Sequence, residues 1–179
     1  MTQETYIEEI GKVLKNKKTI ERELEIKITN KGKLVFVEGS PENEFLGLEI
    51  IEAINLGFSI ERALLLKSEE MILQIINIKS ITKRNDLERV RGRIIGTYGK
   101  TLANLKKLTD CFIAVYGNQI GIIGNVEDID HAIIAVRCLI QGSKQGNVYA
   151  KLEKEKKKKR NDPFSYTNIK NELKSRHRN

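Results

Sequence analysis

Two glycines separated by two residues, Gly96 and Gly99, are surrounded by residues suited to binding a polyanion. Lys100 follows the second glycine directly, and Arg91 and Arg93 precede the first. A glycine turn leaves backbone amides uncovered, and helical patterns on both sides place a helix N-terminus next to them. Open amides, a helix N-terminus and flexible cations together hold phosphate groups. The segment therefore predicts a loop that binds a sugar-phosphate backbone.

A nucleotide-binding P-loop is the first alternative, because Gly99-Lys100-Thr101 matches the end of its GxxxxGK[ST] pattern. That pattern requires a glycine at position 94, which is Ile94 here, and a strand immediately before the loop, where the sequence predicts a helix. A second GxxG match, Gly121 to Gly124, has apolar neighbours and is typical of a strand. We therefore exclude the P-loop and give the second match no role.

Residues that could catalyse a reaction or hold a metal do not converge in the sequence. His131 lies near the start of an apolar helical pattern and His177 near the C-terminus, and neither has the spacing of metal ligands. Cys111 and Cys138, the two cysteines, are predicted to be buried free thiols. We expect no catalytic residues, no metal, no cofactor and no enzymatic activity.

The segments around the glycines predict the elements that position them. A strand is expected over residues 72–78, and one helix precedes the glycines while another follows them. A hairpin is predicted over residues 111–116 and 119–124, and a closing helix over residues 126–141. The predicted order is β-α-(GxxG)-α-β-β-α.

The N-terminal half repeats this plan at an offset of 85 residues. Glycines at turns and helix ends coincide: Gly32, Gly39 and Gly57 with Gly117, Gly124 and Gly142. Ser40 is predicted to cap one helix and Asn125 its counterpart. The first of these helices is expected to bury four residues of one face: Phe45, Leu48, Ile51 and Ile54. The coincidence of caps, stops and apolar positions indicates an internal duplication.

Charge is distributed unevenly along the chain. Of the net +8, residues 83–107 contribute +6 (eight basic against two acidic residues) and residues 151–179 contribute +7, whereas residues 1–82 carry −3. Basic patches of this kind attract polyanions, chiefly nucleic acid. Residues 151–179 are predicted to be a basic tail that is disordered when free, with residues 156–160 forming a charged helix or an arm.

The chain carries no signal for a membrane or for secretion. No apolar run approaches the length of a membrane span, and the first residues lack the basic and apolar regions of a secretory signal. We expect a cytoplasmic protein without a membrane partner.

The predicted order, with GxxG between two helices, resembles the type I K-homology (KH) fold, in which the GxxG loop clamps four nucleotides. The chain also resembles the second KH domain of the Dim/Pno (partner of Nob) family, small-subunit ribosome assembly factors of archaea and eukaryotes. The stretches that carry this resemblance are Gly92-Arg93-Ile94-Ile95-Gly96, Gly99-Lys100-Thr101, Ile113-Ala114-Val115-Tyr116-Gly117, Gln141-Gly142-Ser143 and Gly146-Asn147-Val148-Tyr149. The likeness covers residues 25–155 and is greatest to the compact archaeal form.

The resemblance implies an α+β fold of two tandem type I KH domains, each β-α-α-β-β-α with a three-stranded sheet and helices on one face, followed by the basic C-terminal tail. We expect a first KH domain with a connector helix over residues 1–66, a second over residues 67–150, and the tail over residues 151–179. The apolar residues of the connector, residues 58–66, are expected to dock the two domains together.

In function, the resemblance implies a protein that binds single-stranded RNA of the small ribosomal subunit near its 3′ end. It also implies partnership with the rRNA-trimming endonuclease of the Nob type and, for archaeal relatives, with a translation initiation factor. The RNA-binding residues that it implies are Arg91, Arg93, Ile94, Ile95, Gly96, Thr97, Tyr98, Gly99, Lys100, Thr101, Lys107 and Ile113.

The first copy departs from the family pattern at the loop. The 85-residue offset places Gly11-Lys12-Val13-Leu14 there, and an alternative alignment places Lys15-Asn16-Lys17-Lys18. Because neither stretch has both glycines, we expect RNA to be gripped by the second copy only. The net negative charge of the first copy suits protein contact or domain packing. The alternative function is a KH-fold adaptor that docks proteins and binds RNA only weakly.

Overall fold

The computed structural model describes residues 3–161, which form two three-stranded sheets and eight α-helices. The strands are β1 (Gln3–Tyr6), β2 (Lys27–Lys31), β3 (Leu34–Glu38), β4 (Met71–Asn77), β5 (Phe112–Tyr116) and β6 (Gln119–Asn125). The helices are α1 (Ile10–Leu24), α2 (Pro41–Asn55), α3 (Ile60–Ala63), α4 (Ile78–Ile81), α5 (Leu87–Ile95), α6 (Lys100–Thr109), α7 (Ile129–Gln141) and α8 (Gln145–Asn161). Short 3-10 helices occupy Leu64–Lys67 and Thr97–Gly99.

Both sheets are antiparallel and have the same strand order. The first unit, residues 3–67, contains the sheet β1-β3-β2, and the second unit, residues 71–161, contains β4-β6-β5. The hairpins β2-β3 and β5-β6 turn at Gly32 and Gly117, whose φ angles of 60° and 53° lie in the left-handed region that glycine adopts freely. The two hairpins therefore match in register and in turn conformation, as the predicted repeat requires.

The two units differ where the glycine loop lies. In the second unit the one-turn helix α4 and the longer helices α5 and α6 separate the first strand from the hairpin, whereas in the first unit α1 alone fills that position. Leu24 and Thr109, the last residues of α1 and α6, are 85 residues apart, so α1 is the counterpart of α6. Only residues 7–9 connect β1 to α1, which leaves no counterpart of α5. The expected β-α-α-β-β-α order is therefore wrong for the first unit, which is β-α-β-β-α.

Helix α2 begins as predicted, and of its predicted face Ile51 and Ile54 are buried and Leu48 is partly buried, whereas Phe45 is not. The Ser40 hydroxyl accepts a hydrogen bond from the Asn43 amide at 3.3 Å, which confirms the cap. Phe45, expected in the core, is 60% exposed. The buried face is centred on Gly47, where an added Cβ would lie 2.6 Å from Ile26. Phe45 lies about 200° around the helix from that glycine, because an α-helix turns once in about 3.6 residues.

Helix α7 begins later than expected, and Asn125 is not its cap. The side chain of Asn125 instead accepts a hydrogen bond from the Glu127 amide at 3.0 Å, and the Val126 amide donates to the carbonyl of Glu70 at 2.9 Å. These bonds form a turn after β6, so that α7 starts at Ile129 with Asp128 at the cap position.

The two units share a hydrophobic core. The second sheet packs one face against α5, α6 and α7, and it packs the other against the end of α2 and the connector of the first unit. Phe58 and Leu56 lie against β6 so closely that a Cβ on Gly121 would be 2.8 Å from the Phe58 ring. Ala63 and Leu66 of the connector are buried in the same cluster. The second sheet is thus covered on both faces, which holds the two units in one arrangement.

Polar contacts cross the same interface. The Tyr116 hydroxyl donates to the carboxylate of Glu9 at 3.0 Å, and this bond raises the pKa of Tyr116 to about 12 and lowers that of Glu9. The Arg62 guanidinium of the connector lies 5.1 Å from the centre of the Phe112 ring in the second unit. These contacts fix the register between the units.

The predicted boundary at residue 150 is wrong, since α8 crosses it. Val148 and Leu152 are buried against α6 and α7, and Lys156 binds Asp110 at 2.6 Å. Two apolar residues at i and i+4 are enough to seat an otherwise charged helix on its neighbours. Residues 151–161 therefore belong to the folded second unit, and of the two forms considered for residues 156–160 the helix is confirmed. The rest of the predicted tail, with His177, lies outside the described residues. Within residues 3–161 no helix is both long and apolar enough to cross a bilayer.

Candidate nucleic-acid interface

The glycine loop, Gly96 to Gly99, forms an abrupt turn between α5 and α6. Gly96 has φ 75° and ψ 170°, and its amide donates to the carbonyl of Gly92 at 2.7 Å, which ends α5. Tyr98 and Gly99 both have positive φ, at 52° and 73°. Three of four consecutive residues are thus in the left-handed half of conformational space, and this turns the chain directly into the first residue of α6.

The two glycines are required for different reasons. A Cβ on Gly96 would lie 2.7 Å from the backbone nitrogen of Thr101 and would also collide with its hydroxyl, so this glycine is needed for internal packing. A Cβ on Gly99 would meet nothing within 4 Å. No packing contact therefore requires glycine at residue 99, and only its positive φ favours one there. The open space beside Gly99 lets a ligand approach the backbone closely from solvent.

The residues between the glycines point away from the protein. Tyr98 is 96% exposed, and Thr97 is also exposed. Lys100, the first residue of α6, is exposed as well, and the cap position of α6 is Gly99, which has no side chain to satisfy the amides of the first turn. Within the loop, the Gly99 and Lys100 amides already donate to the carbonyls of Gly96 and Thr97. The surface of the loop consequently combines a helix start without a side-chain cap, the positive end of the helix dipole and a cation, which is an arrangement that attracts phosphate.

Thr101 faces inward instead. Its side chain is buried, and its hydroxyl accepts a hydrogen bond from the Gln145 amide group at 2.8 Å. The same Gln145 nitrogen donates to the carbonyl of Arg93 at 3.1 Å. Gln145 therefore ties the end of α5 and the start of α6 to the start of α8. Gln145 lies 44 residues from Thr101 along the chain and is not among the predicted RNA-binding residues.

Arg93 is also used within the protein. Its guanidinium donates to the carbonyls of Gly142 and Ser143, both at 2.9 Å. These carbonyls lie at the C-terminal end of α7, where the helix dipole favours a cation. Arg93 thereby anchors α5 to α7 and holds the base of the glycine loop in place.

Arg91 is held in a similar way on the other side of α5. It donates at 3.3 Å to the carbonyl of Gly117 and at 3.3 Å to the side chain of Asn118, both in the β5-β6 turn, and it lies 3.7 Å from Glu88. The structure thus assigns both flanking arginines positions that brace the loop.

The apolar residues predicted to line a base-binding groove are mostly core. Ile94 and Ile113 are buried in the cluster beneath the second sheet, and only Ile95 is partly open, at 37% exposure. Lys107 is exposed near the far end of α6, and its carbonyl accepts a hydrogen bond from Lys156 at 3.0 Å. The exposed residues gathered at the loop are therefore Ile95, Thr97, Tyr98 and Lys100.

No group of residues within 3–161 is arranged to hold a metal ion. His131 is half-buried. Cys111 is a buried free thiol whose pKa burial raises to about 11, and Cys138 is free and half-buried. A thiol with a raised pKa is a poor nucleophile, because the thiolate is the reactive form.

Comparison with known proteins identifies the family. The model of the second KH domain of PNO1, described as a eukaryotic-type KH domain (KH-domain type I), matches residues 72–157. A KH domain-containing protein of Methanocaldococcus jannaschii is 35% identical over 156 residues, which cover 83% of this chain and 69% of that protein. This chain belongs to the Dim2/PNO1 family of KH-domain proteins.

A solved structure supports the fold of the family over most of the chain. The Dim2p chain in a crystal structure of an a/eIF2alpha-aDim2p-rRNA complex from Pyrococcus horikoshii matches with a TM-score of 0.82 and 34% identity, covering 88% of this chain and 95% of that one. The pre-rRNA-processing protein PNO1 of Chaetomium thermophilum is 30% identical over 138 residues, and the chain spans 53% of its length. The fold is therefore KH-type, with three-stranded sheets and helices.

The extent of the family match agrees with the geometry. Residues 72–157 run from β4 through the glycine loop into α8, so the Dim2/PNO1 domain includes the helix that carries Gln145. A boundary at residue 150 would cut this helix before Leu152 and Lys156, the residues through which it contacts its neighbours.

Proposed function

We propose that this chain is a non-catalytic assembly factor of the small ribosomal subunit. It binds single-stranded ribosomal RNA near the 3′ end of that RNA through the glycine loop of its second KH domain. The observation that carries the proposal is the open approach to Gly99 beside the uncapped start of α6. This is the loop that clamps backbone phosphates in KH domains generally.

The chemistry of this site is electrostatic and positional. Amides at the start of α6 donate to phosphate oxygens, Lys100 supplies a mobile cation, and the exposed Tyr98 offers an aromatic face to a neighbouring base. In this proposal Arg91, Arg93 and Thr101 position the loop without touching RNA, while Ile94 and Ile113 support it from the core. Ile95 is the apolar residue open to a base.

The proposed division of labour follows from the difference between the two units. We propose that the first unit is a KH domain reduced to one helix before its hairpin, and that residues 71–161 form the second KH domain. Gly11 lies in the first turn of α1, and Lys15 to Lys18 lie within that helix, so neither alignment considered for the first copy produces a glycine turn. The first unit would serve in packing and protein contact.

The proposed partners follow from the relatives. The Dim2p of Pyrococcus horikoshii was crystallised with a/eIF2alpha and rRNA, and the Chaetomium thermophilum relative is a pre-rRNA-processing protein. We propose that this chain likewise meets small-subunit rRNA and a translation initiation factor. The resemblance adds an rRNA-trimming endonuclease of the Nob type.

Crosslinking in cell extract tests the RNA target. Ultraviolet crosslinking of the protein to RNA in an extract of its own cells, followed by sequencing of the bound fragments, is expected to enrich the 3′-terminal region of small-subunit rRNA. Peptides attached to RNA should map to the loop and the start of α6, because the side chains of Tyr98 and Lys100 are exposed there. Fragments drawn evenly from all RNAs would contradict the proposed target. Crosslinks absent from the loop would support the protein-docking alternative.

A further inference from the structure

Two cations from opposite faces of the second sheet approach each other at β5. Arg62 of the connector lies on the face that the first unit covers, with its guanidinium 5.1 Å from the centre of the Phe112 ring. Lys106 belongs to α6, which packs on the other face. Burial and, after it, the positive charge of Arg62 lower the pKa of Lys106, so the two cations lie near each other. Because the sheet separates their backbones and β5 is its edge strand, the two side chains meet around the open edge of β5.

The charge of this pair is not balanced within the described chain. Neither Arg62 nor Lys106 takes part in any of the salt bridges formed among residues 3–161. The pKa of the adjacent Glu61 is lowered first by the Ser59 hydroxyl and only slightly by Arg62. Two like charges held close together raise the energy of the free protein, and an anion between them relieves that repulsion. The pair is therefore suited to binding a phosphate.

The cleft between α6 and β5 connects this pair with the glycine loop. Helix α6 begins at Lys100, directly after the loop, and Asp110 and Cys111 alone link its end to β5. Asp110 has a φ of 55°, which reverses the chain, so that α6 and β5 run in opposite directions along the cleft. Lys106 is six residues beyond Lys100, about 9 Å along the helix axis. The four nucleotides that a KH loop clamps span at least about 10 Å even when stacked, which is enough to reach the pair.

We propose that Arg62 and Lys106 together bind one phosphate of the RNA strand that the glycine loop holds. The first unit then completes the RNA site of the second unit with a single cation, while the clamp itself remains the loop. The inference rests on the proposed RNA binding and adds a contact to it. Ala63 and Leu66, buried beside Arg62 in the shared core, fix the position of the connector and hence of this cation. RNA is favoured over an acidic protein side chain because the helix that carries Lys106 starts at the loop.

A double variant tests the contribution of the pair. Arg62→Gln with Lys106→Gln removes both charges and keeps side chains that are compatible with a helix. Fluorescence anisotropy with a labelled ten-nucleotide RNA from the 3′ end of small-subunit rRNA measures the affinity. We expect it to fall about fivefold, the upper range for a partly exposed ion pair. The slope of log affinity against log salt should decrease by about 0.7, the value for one phosphate contact on a single strand. Circular dichroism checks that the variant is folded.

A phosphate scan tests whether the pair binds one particular phosphate. Each linkage of the same RNA is replaced in turn by an uncharged methylphosphonate, and the affinity is measured again for the wild-type protein and for the double variant. In the wild-type protein, the linkages held by the loop and one further linkage should lose affinity. In the double variant that further linkage should lose its effect, while the loop linkages keep theirs. Such coupling between one linkage and the cation pair indicates a direct contact.

A matched variant controls for net charge. Lys151→Gln with Lys154→Gln removes two exposed charges from the side of α8 that faces away from α6, since Gln145 and Lys156 make the contacts with α6 on the other side. Its affinity should change by less than about twofold. Equal losses in the two double variants, an unchanged affinity without Arg62 and Lys106, or a scan in which every linkage keeps its effect would overturn the inference. If the wild-type protein failed to bind this RNA, the proposed function itself would fail, which is a different outcome.

Discussion

Replacing Thr97 and Tyr98 together with Asp is expected to lower the affinity for single-stranded RNA at least tenfold, about 1.4 kcal/mol. Both side chains are exposed on the glycine loop, so the new carboxylates face the phosphates and repel them. Asp tolerates the left-handed conformation at residue 98 better than most residues, and neither side chain contributes to the core. Filter binding measures the affinity, and thermal unfolding should show little change in stability.

The control for this variant adds the same charge elsewhere. Asn30→Asp with Ser68→Asp places two carboxylates on exposed positions far from the loop. It should weaken RNA binding by less than threefold, because screening limits charges beyond about 10 Å at ordinary salt. If both double variants lost affinity equally, net charge rather than the loop would govern binding. An unchanged affinity of the loop variant would exclude the loop as the binding site.

Phe58→Ala is expected to destabilise the protein by about 3–5 kcal/mol, the usual cost of truncating a buried phenylalanine. Phe58 is buried between the end of α2 and the second sheet, where its ring covers Gly121. Its loss would leave a cavity between the units that neither can fill alone. Chemical denaturation monitored by circular dichroism measures the change in the free energy of unfolding.

Phe45→Ala is the matched comparison, because it removes the same side chain from the exposed face of α2. A change within about 0.5 kcal/mol is expected, as for most surface substitutions. Similar decreases in the free energy of unfolding for the two variants would mean that Phe45 belongs to the core, as its spacing in the sequence predicted. A loss below about 1 kcal/mol for Phe58→Ala would mean that the units are not held together by this shared core.

The order of elements in the second unit could be predicted because local signals determine it. Gly117 marks the hairpin and Gly142 ends α7, and both have positive φ in the structure. Elements near these residues agree with the prediction to within a few positions. The helix pattern of α2 was less informative. An amphipathic helix of mixed apolar residues permits more than one face, and contacts with Ile26 and Val37, distant in sequence, select the one that is buried.

The first unit could not be predicted from the repeat because it has no counterpart of α5. Gly11 has no second glycine, and the residues after it favour a helix, so the chain forms α1 without interruption. The seven basic residues between 151 and 160 favoured the prediction of a disordered tail over that of a packed helix. Val148 and Leu152 are the apolar residues that bury one face of α8 against the second unit. Their i, i+4 spacing was the available signal.

The position of the loop was predictable, but the direction of its side chains was not. Thr101 and Arg93 are of the types that contact phosphate, and only the structure shows that they bind Gln145 and the end of α7. These partners lie more than 40 residues away along the chain. Side-chain direction at such positions depends on tertiary contacts, which spacing within a motif does not reveal.

An NMR titration tests the central claim that a single RNA clamp exists, in the second unit. Single-stranded RNA added to isotope-labelled protein should shift the amide signals of residues 91–116, most strongly those of residues 96–101. Signals of residues 8–30 should move little, because α1 has no glycine turn and the acidic residues around it, including Glu21 and Glu25, oppose a polyanion. Comparable, saturable shifts in both regions would establish a second clamp in the first unit and contradict the account.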